Sequence, residues 1–200
     1  MILNLILITH GWTYDEDESA KFRASNTHVF SRINPDTGEK EYAVVSRGSA
    51  TAWDWIQNIF LQPIGLSPDM NMTVSDAKAF VKEKGADNVT FTGHSKGGAE
   101  AEMCSLATGA DGKVFNPARI SGLTQLFNGR PFAMFTSKAN IDYFIVKGEI
   151  LDTFGNQRGI LTPYHGNENN MHRESSTLSG FHPIKNHEMK GVRSAFYGKY

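Results

Sequence analysis

Runs of branched apolar residues alternate along the chain with segments whose apolar residues recur at helical spacing. Short apolar runs are typical of buried strands, and the helical spacing is typical of amphipathic helices. The predicted strands cover residues 1–8, 27–33, 41–45, 88–92, 112–115 and 141–147, and the predicted helices cover residues 52–61, 73–84 and 97–108. The alternation of strand, helix and strand between residues 41 and 147 predicts an α/β sandwich with a mostly parallel sheet.

An antiparallel hairpin is predicted near the N-terminus. Its turn is the segment Asn34-Pro35-Asp36-Thr37-Gly38, which has proline early and glycine late. Residues 155–180, in contrast, are polar and poor in branched side chains, which predicts a long excursion over the surface. Because the chain has no repeats, no low-complexity tract and no linker rich in Pro, Gly or Ser, we expect residues 1–200 to form a single domain.

Composition is that of an ordinary globular protein. Hydrophobic residues make up 40% and charged residues 20%, and 20 Lys and Arg against 21 Asp and Glu give a net charge of −1. A chain without a basic excess or a local Lys/Arg run lacks the electrostatic footprint of a nucleic-acid-binding protein. The single cysteine, Cys104, excludes an internal disulfide and any metal site built from several cysteines.

The apolar run at residues 1–8 raises the question of a targeting segment. No basic residue precedes it, since the first cation is Lys21, and it is far shorter than the roughly 20 apolar residues of a membrane helix. We therefore expect a cytoplasmic protein, with export by a route that needs no cleaved signal as the alternative.

The segment Gly93-His94-Ser95-Lys96-Gly97-Gly98 lies between a predicted strand and a predicted helix of small residues. In that context Gly-x-Ser-x-Gly is the pattern of a nucleophile elbow, a sharp turn that lifts a serine hydroxyl above the sheet. The positions two before and two after the serine lie where strand and helix nearly touch, so Gly93 and Gly97 meet a steric demand. The pattern therefore predicts Ser95 as a catalytic nucleophile.

Lys96 invites two other interpretations. A phosphate-binding loop needs Gly-x-x-x-x-Gly-Lys followed by Ser or Thr, and the order here does not match. A lysine base for Ser95 is disfavoured, because adjacent side chains at a helix start point apart. The residue after the nucleophile of such an elbow gives its backbone N–H to an oxyanion hole, and we predict that role for Lys96.

Further segments join the elbow in one pattern that spans residues 40–190. They are Arg47-Gly48-Ser49, Asp54-Trp55 with Asn58, Val114-Phe115-Asn116-Pro117-Ala118 and Val146-Lys147-Gly148-Glu149-Ile150-Leu151. Together they resemble the class 3 lipase family, and within it the bacterial lipase-like branch found among toxin and phospholipase-effector domains. The resemblance implies an α/β-hydrolase-like three-layer sandwich with a mostly parallel sheet and an N-terminal antiparallel hairpin. The elbow implies a serine ester hydrolase that needs no cofactor or metal, and the resemblance adds lipid or phospholipid acyl esters as substrates.

The resemblance also implies that Ser49 holds the second oxyanion donor, because Asp54 and Asn58 follow it in the family's pattern. A rival lies at residues 5–11, where a predicted strand runs into His10-Gly11, as in the oxyanion segment of other lipases. We prefer Ser49, since a lone His-Gly after a strand is usually a turn.

A serine nucleophile needs a base, and the base needs an orienting third group. In α/β-hydrolases these residues follow in the order Ser, acid, His. After the predicted strand at residues 141–147 the acids at hand are Glu149 and Asp152. Glu149 stands where the family's acid falls, and Asp152 is the second choice.

Four histidines follow that strand: His165, His172, His182 and His187. The first two lie in the polar excursion, so we expect them to be exposed. Residues 181–187 resemble the family's C-terminal His-x-x-x-Asn segment, which assigns His182 as the base, with His187 as the second choice. His94, inside the elbow, is expected to be a packing residue.

Two other classes of function stay open at this point. A zinc site could draw on the four histidines with Glu168 or Glu174, but their spacings match no helical His pair and His-Glu-x-x-His is absent. A non-catalytic binding module could retain the elbow as a scaffold, although the order Ser, acid, His counts against it. The expected partners are a lipid or small ester substrate and a peripheral membrane contact, no nucleic acid, and, for an effector, an immunity or delivery partner.

Overall fold

The computed structural model describes residues 10–48, 68–118, 137–151, 170–176 and 182–197. In these residues seven strands form one sheet in the order β1-β2-β3-β4-β5-β6-β7. The strands are β1 (Thr13–Tyr14), β2 (Thr27–Ile33), β3 (Lys40–Ser46), β4 (Val89–His94), β5 (Asp111–Phe115), β6 (Ile141–Val146) and β7 (Met171–Glu174). The helices are α1 (Glu16–Ser19), α2 (Pro68–Lys84), α3 (Lys96–Thr108), α4 (Pro183–His187) and α5 (Met189–Phe196), and a 3₁₀ turn covers Ala86–Asn88.

Strands β3 to β7 are parallel, whereas β1 and β2 pair antiparallel with their neighbours. The hairpin of β2 and β3 confirms the sequence prediction. Asn34 closes its turn, because its side-chain oxygen accepts from the N–H groups of Asp36 and Thr37 and its carbonyl accepts from Gly38. Parallel strands end at a common edge of the sheet, and in open α/β sheets functional residues collect at that edge.

Helices cover both faces of the sheet, and two neighbouring residues of β6 establish this. Tyr143 points to one face, where its hydroxyl donates to Glu102 of α3 at 2.8 Å. Phe144 contacts Phe196 of α5, with ring centroids 5.3 Å apart. Because successive strand residues point to opposite faces, α3 and α5 lie on opposite sides of the sheet. This is the three-layer α/β sandwich that the sequence predicted.

The main core lies between the sheet and helices α2 and α3. Helix α3 is buried from Gly97 to Ala107, and its small residues let it pack closely on β4. Helix α2 contributes Phe80, whose ring meets the ring of Tyr42 edge-on at a centroid distance of 5.5 Å. Burial of each large apolar side chain contributes roughly 1.5–3 kcal/mol. This block gives the carboxyl edge of the sheet a rigid support.

Several features differ from the sequence predictions. Helix α2 begins at Pro68 rather than at residue 73, because proline is tolerated in a first helical turn and Met70 adds a buried side chain. The predicted excursion at residues 155–180 contains β7, whose polar side chains are half-buried or exposed and whose pairing with β6 is made by the backbone. The short helices α4 and α5 were not predicted.

The predicted strand at residues 1–8 and the predicted helix at residues 52–61 lie outside the described residues. Among the helices that the structure describes, none has the length and apolar character needed to cross a membrane.

Cys104 lies fully buried in α3, and burial raises the pKa of its thiol. Because the thiolate is the reactive form, we expect the native protein to give no reaction with Ellman's reagent, and one thiol per chain to react after unfolding in guanidinium. Labelling of the native protein at the rate of free cysteine would contradict this burial.

Candidate active site

Ser95 occupies the sharp turn between β4 and α3. Its backbone has φ 60° and ψ −124°, a combination that L-residues rarely adopt and that costs of order 1–3 kcal/mol. Neighbouring backbone holds the turn, since the Ser95 N–H donates to the Phe115 carbonyl at 3.1 Å and the Ser95 carbonyl accepts from Ala118 at 3.0 Å. The loop after β5 therefore supports the strained residue from both sides.

The glycines of the elbow allow the strand and the helix to approach each other closely. A β-carbon on Gly93 would overlap the backbone carbonyl of Gly97, and one on Gly97 would overlap the carbonyl oxygen of Ser46. Any larger residue at either position would push α3 away from β3 and β4. The pattern Gly-x-Ser-x-Gly thus describes a backbone contact and not only a flexible turn.

His187 lies against Ser95. Its Nε2 atom is 2.9 Å from the Ser95 Oγ atom, and its Nδ1 atom is 2.6 Å from Oε2 of Glu149. All three side chains are buried, with Ser95 5%, His187 1% and Glu149 0% exposed. Since an ionised carboxylate can only accept, Nδ1 carries the proton and Nε2 is left to accept from the serine hydroxyl. This is the geometry that proton removal from a serine requires.

Glu149 reaches this position because the chain turns sharply after β6. Gly148 adopts φ 71°, and the Glu149 N–H donates back to the Val146 carbonyl at 3.2 Å. The same carboxylate oxygen that faces His187 also accepts from the Leu151 N–H at 3.0 Å. The Leu151 N–H and the His187 Nδ1–H thus donate to one carboxylate oxygen and hold the Glu149 side chain beside the imidazole.

His182 lies elsewhere. It is the N-cap of α4, where its exposed Nδ1 atom accepts from the Lys185 N–H at 3.4 Å. The structure therefore joins Ser95 and Glu149 through His187, the second choice of the sequence analysis, and not through His182. One signal favours this outcome: Pro183 directly after His182 is typical of a first helical position, so His182 stands at an exposed helix start.

His94 contacts His187. Its Nε2–H group donates to the carbonyl of His187 at 2.6 Å, and the two rings have centroids 5.0 Å apart. Burial, reinforced by the nearby His187, lowers the pKa of His94 to about 4. His94 is therefore uncharged at neutral pH. The sequence predicted a packing residue, and the structure shows that His94 also donates a hydrogen bond to the His187 backbone.

Lys96 begins α3, and the N–H groups of a first helical turn have no acceptor within the helix. Its side chain turns along the helix, with Nζ 3.6 Å from the buried carboxylate of Glu100. Ser49 and Asp152 lie outside the described residues.

The structure describes the chain up to Gly48, the residue before Ser49. A β-carbon on Gly48 would lie 2.8 Å from the His94 carbonyl oxygen and 3.5 Å from the Ser95 β-carbon, so this strand end touches the elbow. Asn26 holds the preceding residue, Arg47, by accepting from its N–H at 2.7 Å and donating to its carbonyl at 3.2 Å.

The rival segment His10-Gly11 lies at the opposite edge of the sheet. Strand β1 runs in the same direction as β3 and β4, and Thr13 is in register, through β2 and β3, with Val89 at the start of β4. His10 precedes Thr13, whereas Ser95 follows the end of β4. The structure thus separates this segment from the elbow.

The histidines proposed for zinc make separate contacts. His172 stacks on Phe144 and has its Nε2 atom 3.4 Å from Asp142, while His187 faces Ser95 and His182 caps α4. Within the described part of the chain, no three His, Cys, Asp or Glu residues lie close enough to hold a metal ion. His165 and Glu168 lie outside that part.

Comparisons with known proteins agree with the α/β fold and point to a family. The model of the Tle-like phospholipase domain, described as phospholipase-like, matches residues 4–191. Among solved structures, the chain is similar to Rhizomucor miehei lipase in a propeptide complex, with a TM-score of 0.51 and 11% identity over 88% of this chain and 65% of that one. At such identity the likeness concerns the fold alone, and the chain spans about two thirds of that lipase chain. No curated protein sequence matches the chain significantly.

The low pKa of His94 links stability to pH. Between pH 6.5, the ordinary pKa of histidine, and about pH 4, His94 binds a proton in the unfolded chain but not in the folded protein. The free energy of unfolding therefore falls as the pH falls through this range. From pH 7.5 to 5.0 the loss is about 2 kcal/mol. His94→Gln retains an N–H donor without the titration, and urea unfolding at pH 7.5 and 5.0 should show a smaller acid loss in the variant. Equal losses would refute this role.

Proposed function

The chain belongs to the family of Tle-like phospholipase domains, and from this premise we propose that it hydrolyses the acyl esters of lipids, phospholipids foremost. The observation that carries the proposal is the hydrogen-bonded series Glu149–His187–Ser95, at 2.6 and 2.9 Å, on a strained elbow. The family supplies the substrate class, and the geometry favours acyl transfer to a serine as the reaction.

In the first half-reaction Ser95 Oγ attacks the ester carbonyl carbon and passes its proton to Nε2 of His187. Glu149, which accepts from Nδ1, keeps the ring oriented and stabilises the imidazolium. The tetrahedral intermediate collapses when His187 returns the proton to the departing alcohol oxygen, and an acyl ester remains on Ser95. Water then attacks that ester while His187 takes its proton. His187 passes the proton to the departing Ser95 Oγ, and the fatty acid is released.

The negative charge on the carbonyl oxygen needs donors already in place. We assign this role to the backbone N–H of Lys96, in the first turn of α3, and to Ser49. The close approach of Gly48 to Ser95 supports the second assignment, since Ser49 is the next residue in the chain.

His187 takes the role that the sequence resemblance gave to His182, because its ring is buried against both Ser95 and Glu149. Glu149 is preferred to Asp152, since its carboxylate already accepts from the base and from Leu151. A non-catalytic module would not need a buried charge at this position, where burying a carboxylate carries a free-energy cost unless it is paired. An immunity or delivery partner stays a prediction of the sequence.

Removal of the serine hydroxyl tests the function. We expect Ser95→Ala to lose at least about 10³-fold in turnover of p-nitrophenyl esters and of phospholipid vesicles, because only background catalysis survives without the nucleophile. Only the wild type should be labelled by a fluorophosphonate.

Ser105→Ala is the matched control, since Ser105 is a buried serine of the same helix whose hydroxyl donates to the Asp111 carbonyl. It should turn over substrate like the wild type. Equal activity in wild type and Ser95→Ala would refute the nucleophile, and inactive, unlabelled but folded wild type would favour the binding module.

The two histidines give a paired test of the base. His187→Gln should lower kcat by about 10³-fold or more, because the hydroxyl loses its proton acceptor, and should slow fluorophosphonate labelling to a similar extent. His182→Gln should leave kcat within twofold of wild type, since His182 only caps α4. The reverse result, with His182→Gln inactive and His187→Gln active, would restore the assignment made from the sequence.

A further inference from the structure

Asn116, directly after β5, is a fully buried polar residue that the proposed reaction does not use. Its backbone adopts φ 39°, a left-handed conformation that non-glycine residues other than asparagine and aspartate seldom accept. A buried side chain held in an unfavourable conformation calls for a compensating set of interactions.

The side-chain amide of Asn116 joins two other parts of the chain. Its Oδ1 atom accepts from the Val146 N–H at 2.8 Å, at the end of β6 and three residues before Glu149. Its Nδ2 group donates to the carbonyls of Asn186 at 3.0 Å and His187 at 3.3 Å. Because one partner is a donor and two are acceptors, the orientation of the amide is fixed by its neighbours.

The backbone around Asn116 joins a third part, the elbow. The Phe115 carbonyl and the Ala118 N–H bracket Ser95 on its two backbone sides, at 3.1 and 3.0 Å. The Asn116 N–H itself donates to the Phe144 carbonyl of β6 at 2.9 Å. One short loop therefore contacts the segments that carry the nucleophile, the acid and the base.

Two hydrogen bonds to the backbone carbonyl of His187 help to hold this residue in place. That oxygen accepts from His94 at 2.6 Å and from Asn116 at 3.3 Å, while Asn186 donates from its side chain to the Lys147 carbonyl at 3.3 Å. Helix α4 has only five residues and cannot fix the His187 ring by itself. Its C-terminal end gains its position from these tertiary hydrogen bonds.

We propose that Asn116 is the positioning residue of the site: its amide sets the His187 backbone against the end of β6, so that Nε2 faces Ser95 Oγ while Nδ1 faces Glu149. The inference rests on the proposed function. Asparagine suits the position because it accepts, donates twice and tolerates a positive φ. Aspartate would keep the bond from Val146 but place a carboxylate against two carbonyl oxygens.

The test compares two substitutions that respect the backbone. Asn116→Gly keeps a residue that accepts positive φ and removes the amide, and Asn116→Asp keeps the shape and removes the donors. Asn88→Ala is the control, since Asn88 also donates from a half-buried amide to a carbonyl, that of Lys84, but stands at the opposite end of β4. The measurements are kcat and KM on a p-nitrophenyl ester, urea unfolding, and the proton resonance of the His187 Nδ1–H group.

We expect both Asn116 variants to lose about 10- to 100-fold in kcat, because a displacement of the base of about 1 Å has that effect, with KM within twofold of wild type. The Nδ1–H resonance should shift or broaden, since the bond to Glu149 is disturbed. Asn88→Ala should lose stability without a change in kcat or in this resonance. A merely structural role would make Asn116 and Asn88 variants behave alike.

Wild-type kcat and an unchanged Nδ1–H resonance in either folded Asn116 variant would overturn the inference while leaving the proposed function intact. Absence of Ser95-dependent turnover in the wild type would instead overturn the proposed function. In that case the resonance alone decides on Asn116, since it reports the His187–Glu149 bond without any substrate.

Discussion

Ser95 has a backbone conformation that it would not adopt alone, and the surrounding fold maintains it. Its positive φ places the hydroxyl above the sheet, and this strain persists only because β5, α3 and β3 surround the turn. The start of α3 approaches the ends of β3 and β4 so closely that glycine is required at two positions of the elbow. The parallel sheet and the tightly packed α3 therefore serve one local end: they hold a single residue in a conformation of high energy.

The same logic explains which parts of the site the sequence could predict. The elbow is a local pattern, because its two glycines, the serine and the small residues of α3 all lie within residues 93–107, so Ser95 could be predicted from the sequence. Glu149 could be placed because it follows a strand whose branched residues are recognisable. In both cases the signal lies beside the residue itself.

A local sequence pattern could not predict which histidine faces Ser95. His182 and His187 stand five residues apart in a short helix, and which of them turns inward depends on hydrogen bonds to β5 and β6, which no local pattern records. Strand β7 was not predicted for a related reason. Its pairing with β6 is made by backbone groups, and its sequence shows no alternation of apolar and polar residues. Non-local contacts thus decide the details that composition and periodicity leave open.

Ser95 and the histidine that it contacts are 92 residues apart in the sequence. Domains generally fold as units during synthesis. A growing chain that has been synthesised through β5 already contains Ser95, but the residues of α4 have not yet been added. Under the proposed chemistry, hydrolytic capacity would arise only after His187 has been synthesised and has packed against Ser95 and Glu149, and a chain released before residue 187 would be inert toward esters.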